Sequence, residues 1–185
     1  MAETPSQMIE LGTPAPEFSL PNTLSGETTS LADVKSDIAT VVMFICNHCP
    51  YVINIQQELK NLSDEFIQQG VSFVAISSND VENYPEDSPD KMKALFEELG
   101  LNFPYLYDES QEVAKAYKAA CTPDFYVFDK DLLCAYRGRF DDSTPGNSIT
   151  PSGRDLRGAI ECLVSGKPVS TEQLPSLGCN IKWKN

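Results

Sequence analysis

The chain has 185 residues, long enough to bury about 70% of its unfolded surface in one domain without disulfide staples. Its 14 basic against 27 acidic residues give a formal charge of −13, a field that repels nucleic acid and anionic lipid and excludes both as partners. The acidity itself is read as a source of solubility, or as steering toward a basic partner protein.

Residues 1–20, MAETPSQMIELGTPAPEFSL, hold acids and prolines and no apolar run of signal-peptide length. No later segment approaches the ~18 consecutive apolar residues of a membrane span. The expectation is a soluble, cytoplasmic protein whose residues 1–12 are flexible. Phe18 to Leu31, FSLPNTLSGETTSL, reads as an edge hairpin around a Ser-Gly turn. ATVVMFIC (Ala39–Cys46) is β-branched and aromatic without polar alternation after Thr40, the pattern of a central strand covered on both faces. From Pro50 onward Val52, Ile55, Leu59, Leu62 and Phe66 recur at steps of three and four up to Gly70, which predicts an amphipathic helix with proline in its first turn.

VSFVAIS (Val71–Ser77) predicts a second buried strand, followed by the polar loop SNDVENYPEDSPD and a helix through KMKALFEELG. FPYLYD and SQEVAKAYKA repeat the strand-then-helix step. FYVFD (Phe125–Asp129) and LLCAYRGRF (Leu132–Phe140) predict an antiparallel hairpin, with Arg137 and Arg139 on a solvated face. A Gly/Ser/Thr/Pro loop leads to a helix near RDLRGAIECLVSG, and residues 166–185 are expected to form an irregular tail, tacked down by Trp183. This order implies an α/β layer fold with a mixed sheet whose later strands run antiparallel.

The chemistry concentrates in ICNHCPY, where Cys46 and Cys49 flank the single histidine, His48, at the handover from buried strand to helix. With Cys46 at the helix tip, unpaired amides, the helix dipole and a protonated His48 lower its thiol pKa below the free value of about 8.5. Cys49, one turn along, is the shielded partner. A segment of this kind is suited to opening and closing one disulfide. A zinc site is not expected, because no second CxxC or CxxH follows and Cys121 would complete a tetrahedron only with His48 turned inward. Of the other cysteines, Cys134 and Cys162 fall in apolar patterns and are expected in the core.

CTPDFYVFD places Thr122-Pro123 at the start of a hydrophobic strand. A cis bond there would stop the backbone pairing with a neighbour and leave it facing a substrate. Cys121, directly before it, is a candidate third thiol that exchanges with the pair, and Cys179 in the tail is ranked below it.

Strand, Cys46-Asn47-His48-Cys49, helix, and Thr122-Pro123 before a later strand together resemble the thioredoxin superfamily. GTPAPEFSLPNTLSGETTSLADV resembles the opening of its peroxiredoxin and membrane-anchored thiol-reductase branches, and CNHCPY, CTPDF, RGRFDDSTPGN, GRDLRGAI and GCNIKWK are similar to a peroxiredoxin-like group of alkyl hydroperoxide reductase/thiol-specific antioxidant type. The resemblance implies a thioredoxin-like fold, with a central mixed β-sheet flanked by helices, an N-terminal β-hairpin and an inserted strand and helix. Peroxiredoxins carry a Pro-x-x-x-Thr/Ser-x-x-Cys pattern. Counting back from Cys46 gives Met43 and Ala39, and from Cys49 gives Cys46 and Val42, so proline and hydroxyl are missing in both registers. The tryptophan and buried acid of thioredoxins are replaced by Ile45 and Thr40, which leaves His48 as the nearby side chain that titrates near neutrality.

The function implied is that of a thiol–disulfide oxidoreductase in which Cys46 attacks a substrate disulfide, Cys49 resolves the mixed disulfide, His48 lowers the Cys46 pKa, and Thr122 and Pro123 shape the substrate groove. No metal or organic cofactor is required. The partners are a disulfide-containing protein, or a small thiol or peroxide, and an electron donor of unknown identity. The alternatives are a slow antioxidant thiol peroxidase and a non-enzymatic redox-sensing protein in which the pair gates binding.

Overall fold

A computed structural model describes residues 3–185. The secondary structure runs β1 (Glu3–Pro5), β2 (Ser19–Pro21), β3 (Thr28–Ser30), α1 (Leu31–Val34), β4 (Ala39–Phe44), α2 (Pro50–Ile67), β5 (Ser72–Ser77), a 3-10 turn (Pro85–Asp87), α3 (Pro89–Leu99), β6 (Tyr105–Tyr107), α4 (Glu112–Ala116), β7 (Cys121–Thr122), β8 (Asp124–Asp129), β9 (Cys134–Gly138), α5 (Arg154–Val164) and β10 (Leu177–Asn180).

The central sheet has the order β6-β5-β4-β8-β9. Strands β4, β5 and β6 are parallel, and β8 and β9 join antiparallel, which is the expected mixed sheet. All six residues of β4 are buried because β5 and β8 pair with its two edges and side chains cover both its faces. On one face Val41 and Met43 pack under Val52, Ile55, Leu59, Leu62 and Phe66 of α2 and under Leu156 and Ile160 of α5. On the other, Val42 and Phe44 meet Phe18, Leu20, Leu31 and Tyr117. Each of these large side chains contributes about 1.5–3 kcal/mol of apolar burial. The predicted hairpin is the antiparallel pair β2 and β3; the Thr23 amide bonds the Tyr105 carbonyl at 3.0 Å and ties it to β6.

Two expectations are overturned outside the central sheet. Residues 1 and 2 lie outside the described residues, but Glu3–Pro5, expected to be flexible, is a strand. The tail expected to be irregular contains β10, which pairs antiparallel with β1 on one side and β7 on the other. Trp183 is 41% exposed; buried Cys179, Ile181 and Lys182 hold the tail instead, the Lys182 amide donating to Asn79 Oδ1 at 2.9 Å.

Arg137 also departs from its expected solvated face. It is fully buried, paired with both oxygens of buried Asp124 and lying 3.9 Å over the Tyr126 ring. Alternation along β9 does place Arg137 opposite Tyr136, but α5 and the tail cover one face and the Tyr126 side the other, so neither face of this strand is solvated.

Candidate active site

Past Phe44 the chain leaves the sheet edge with one more ladder bond, Ile45 N–H to Ile76 O at 3.0 Å, and turns into Asn47-His48-Cys49. The turn is pinned by the polar loop after β5. Its 3-10 turn brings Asp87, fully buried, under the loop, where it accepts from the Asn47 amide at 2.8 Å and from Asn79 Nδ2 at 2.8 Å. Asn47 bonds Glu86 O at 2.9 Å and receives the Tyr105 hydroxyl at 3.1 Å. His48 stacks on Tyr84 with ring centroids 5.7 Å apart, and its Nδ1 lies 2.7 Å from Asp87 Oδ2.

The helix begins three residues later than a cap at Cys46 requires. Cys49, with extended backbone, is the N-cap of α2 and Pro50 its first residue, so the helix tip belongs to Cys49 and not to Cys46. Cys46 is 2% exposed and Cys49 0%, so Cys49 is shielded as expected, whereas Cys46, expected to be exposed, is buried beside it. The expected order of acidity, by contrast, is reversed. The Cys49 thiol is lowered to about 5, first by a hydrogen bond from Cys46 and then, against the cost of burial, by Cys179, the Val52 amide and the Thr122 hydroxyl. Cys46 is raised well above the ordinary thiol value, first because it gives its proton to that hydrogen bond, then by burial and by the negative charge of Asp87. His48 Nδ1 is therefore directed at Asp87 and not at Cys46, and Cys46 faces the carboxylate.

Thr122–Pro123 is cis, as expected, and borders both sulfurs. The Cys46 sulfur is 3.4 Å from Thr122 Oγ1, and the Cys49 thiol lies 3.1 Å from the Thr122 carbonyl. The expected free backbone edge is absent, because β10 pairs with β7 in the register Cys179 to Thr122 and Asn180 to Cys121. Gly178 makes this approach possible, since a Cβ at that position would overlap the Thr122 carbonyl. A cleft of about 300 Å³ opens beside Pro123, lined by Tyr51, Ile55, Phe140, Asp141 and Leu177.

Cys121 is not brought to the pair. Successive side chains of a strand point to opposite faces; Thr122 faces Cys46, and Cys121 turns away to donate to the Pro123 carbonyl at 3.7 Å, its thiol pushed up by burial. Its predicted place is taken by Cys179, whose sulfur is 2.7 Å from that of Cys49. Cys134 is in the core as expected, and Cys162 is half-buried. Cys46, His48 and Asp87 present ligand atoms within 4.8 Å of one another, a donor set that includes a carboxylate the sequence reading did not weigh.

The sequence reading missed Asp87, Tyr105 and the closeness of Cys179. The available signals were Pro85 and Pro89 bracketing an acidic tripeptide, and a glycine directly before Cys179.

A profile of the AhpC/TSA family matches residues 11–137. No curated protein matches the chain. Among solved structures, an uncharacterized conserved protein from Geobacillus kaustophilus is 59% identical with a TM-score of 0.98, over 100% of this chain and 97% of that one. A secreted Mycobacterium tuberculosis disulfide oxidoreductase homologous to E. coli DsbE is 18% identical with a TM-score of 0.60, over 78% of this chain and 95% of that one. Peroxidoxin BcpB from Mycobacterium tuberculosis is 19% identical with a TM-score of 0.62, over 85% of this chain and 98% of that one. The last two show a shared thioredoxin-like fold.

Proposed function

The chain belongs to the AhpC/TSA family, and from that premise we propose that it is a thiol–disulfide oxidoreductase whose attacking sulfur is Cys49 and whose resolving thiol is Cys46. The observation that carries this reading is the position of Cys49 as N-cap of an 18-residue helix, with Cys46 hydrogen-bonded to it. In the register that puts Cys49 at the peroxidatic position, Cys46 stands where a peroxiredoxin would carry its hydroxyl residue. A thiol there offers the same hydrogen bond and, unlike a hydroxyl, can form a disulfide.

The Cys49 thiolate attacks one sulfur of a substrate disulfide, and the other sulfur leaves as a thiolate that solvent protonates. Cys46 then loses its proton to the His48–Asp87 pair and attacks the Cys49 sulfur, expelling the remaining substrate thiolate and closing Cys46–Cys49. The substrate disulfide is reduced to two thiols, and the two protein thiols are oxidised. An electron donor resets the pair. The acidic, small-molecule-sized cleft beside Pro123 is the candidate entry for the substrate.

A second reading, thiol peroxidase, is favoured by the same burial that disfavours a protein client: Cys49 is covered by β10, a barrier that a peroxide passes more easily than a folded protein does. The test uses reduced protein and an aromatic disulfide whose leaving thiol is coloured, with hydrogen peroxide as the parallel substrate. The expected result is thiol release by the parent and by Cys46→Ser, none by Cys49→Ser, and slower oxidation by peroxide than by the disulfide. Release that persists in Cys49→Ser and vanishes in Cys46→Ser would return the attacking role to Cys46.

A further inference from the structure

Three sulfurs, not two, converge at the start of α2. Cys179 is brought there by β10, whose own register sets Cys179 opposite Thr122 on one edge and opposite Glu3 on the other. Its sulfur is 2.7 Å from Cys49 Sγ and is buried with it. The first turn of α2 serves both sulfurs, the Tyr51 amide pointing to Cys179 and the Val52 amide to Cys49. Because strand pairing on both edges fixes the backbone of Cys179, the contact is a built one, and the two sulfurs at 2.7 Å are less than about 1 Å from the S–S bond length of about 2.05 Å.

We propose that Cys179 is a second resolving thiol, so that oxidation at Cys49 closes a Cys49–Cys179 disulfide that competes with Cys46–Cys49. The proposal rests on Cys49 being the attacking sulfur, as argued above. Starting from the mixed disulfide of Cys49 with a substrate thiol, Cys179, whose thiol burial pushes up to about 12, attacks the Cys49 sulfur, and its proton passes to the departing substrate sulfur, which leaves as a thiol. The electron count matches resolution by Cys46: two protein thiols are oxidised, and the substrate disulfide becomes two thiols. The Cys46 thiolate can then attack Cys49 in the new bond and release Cys179, an isomerisation with no net redox change. Cys49 is thereby the hub, and its disulfide alternates between a local link within the turn and a long-range link to the tail.

The two links differ in what they do to the groove. Cys46–Cys49 leaves β10 held by strand pairing, side-chain burial and hydrogen bonds alone, and Cys49–Cys179 fastens β10 covalently to the start of α2. In this scheme the oxidised protein has two forms, one in which β10 can part from β7 and one in which it is locked to α2.

The test uses the full-length chain with Cys46→Ser, which removes the local partner, and the pair Cys46→Ser/Cys179→Ser, which removes both. Each reduced protein receives one equivalent of the aromatic disulfide. The double variant should release one thiol per chain and keep the other half of the reagent on Cys49, while Cys46→Ser should release two and yield a Cys49–Cys179 peptide on mapping. One thiol from Cys46→Ser, with Cys179 mapped as free, overturns the second resolving thiol and leaves the oxidoreductase reading intact. No release from the double variant, with its fold intact by circular dichroism, overturns both. If serine at the buried Cys179 position unfolds the chain, Cys46→Ser/Cys179→Ala supplies the same comparison with a small apolar side chain.

Discussion

Arg137 and Asp124, both wholly removed from solvent, form a two-point ion pair one residue past Pro123. Asp124 also accepts from the Ala120 amide at 3.4 Å, so the pair braces the β7 segment that borders the sulfurs. Breaking a buried pair by removing one partner leaves an uncompensated charge and costs about 3–5 kcal/mol. Arg137→Met is expected to lose that much in urea denaturation, and Arg137→Met/Asp124→Leu to recover most of it. A loss below about 1 kcal/mol in the single variant would show that the pair is not needed for stability.

The acidity of Cys49 makes stability depend on pH. Its thiol is held at about 5 in the fold, against about 8.5 for a free thiol. Between these values the unfolded chain binds a proton that the folded chain does not, so the contribution of Cys49 grows with pH across that window and is lost as pH falls through about 5. Its slope is bounded by about 1.4 kcal/mol per pH unit. Cys46, raised in the fold, acts oppositely: its contribution is complete below the free-thiol range and is lost as pH rises through its raised folded value. Urea midpoints of reduced parent and Cys49→Ser should therefore diverge from about pH 5 to 8.5, and parallel curves would rule out a thiolate at Cys49.

Asp87→Asn removes the negative charge that helps keep Cys46 protonated. In a Cys49→Ser background, where the neighbouring sulfur no longer intervenes, the Cys46 midpoint measured by thiolate absorbance is expected to fall by about one unit. An unchanged midpoint would mean that burial alone sets it.

Gly178→Ala places a methyl group where the Thr122 carbonyl stands, and β10 must move off β7 to accept it. A weakening of docking by about 1.4 kcal/mol raises the open fraction about tenfold. Alkylation of Cys49 should accelerate by that factor, and the urea midpoint should fall by the amount that about 1.4 kcal/mol implies. An unaltered rate would show that β10 does not guard the sulfur.

The central sheet and α2 were legible because β4 and α2 carry strong, opposite periodicities: ATVVMF has no polar alternation, and Val52 to Phe66 repeats at helical spacing. The Thr-Pro position was legible from a proline at a strand start. What escaped the sequence depended on long-range placement. Arg137 alternates as a solvated residue would, and only the burial of Asp124 thirteen positions earlier reverses its meaning. The order of acidity of the two cysteines was misjudged because the helix cap lies three residues beyond Cys46, which moved the helix dipole to Cys49. Leu177–Asn180 is too short and too polar to announce a strand, and β10 exists because β1 and β7 offer it two edges.

The contact between Cys49 and Cys179 spans 130 residues, and this separation governs the birth of the molecule. At roughly 5–20 residues per second, a ribosome takes roughly 6–26 s to add Cys179 after Cys49. Throughout that interval β10 cannot dock, the amides of α2 have one sulfur to serve instead of two, and Cys46 is the partner within reach. A nascent chain that meets an oxidant closes the local disulfide first, and the long-range choice opens only when synthesis has passed Asn180.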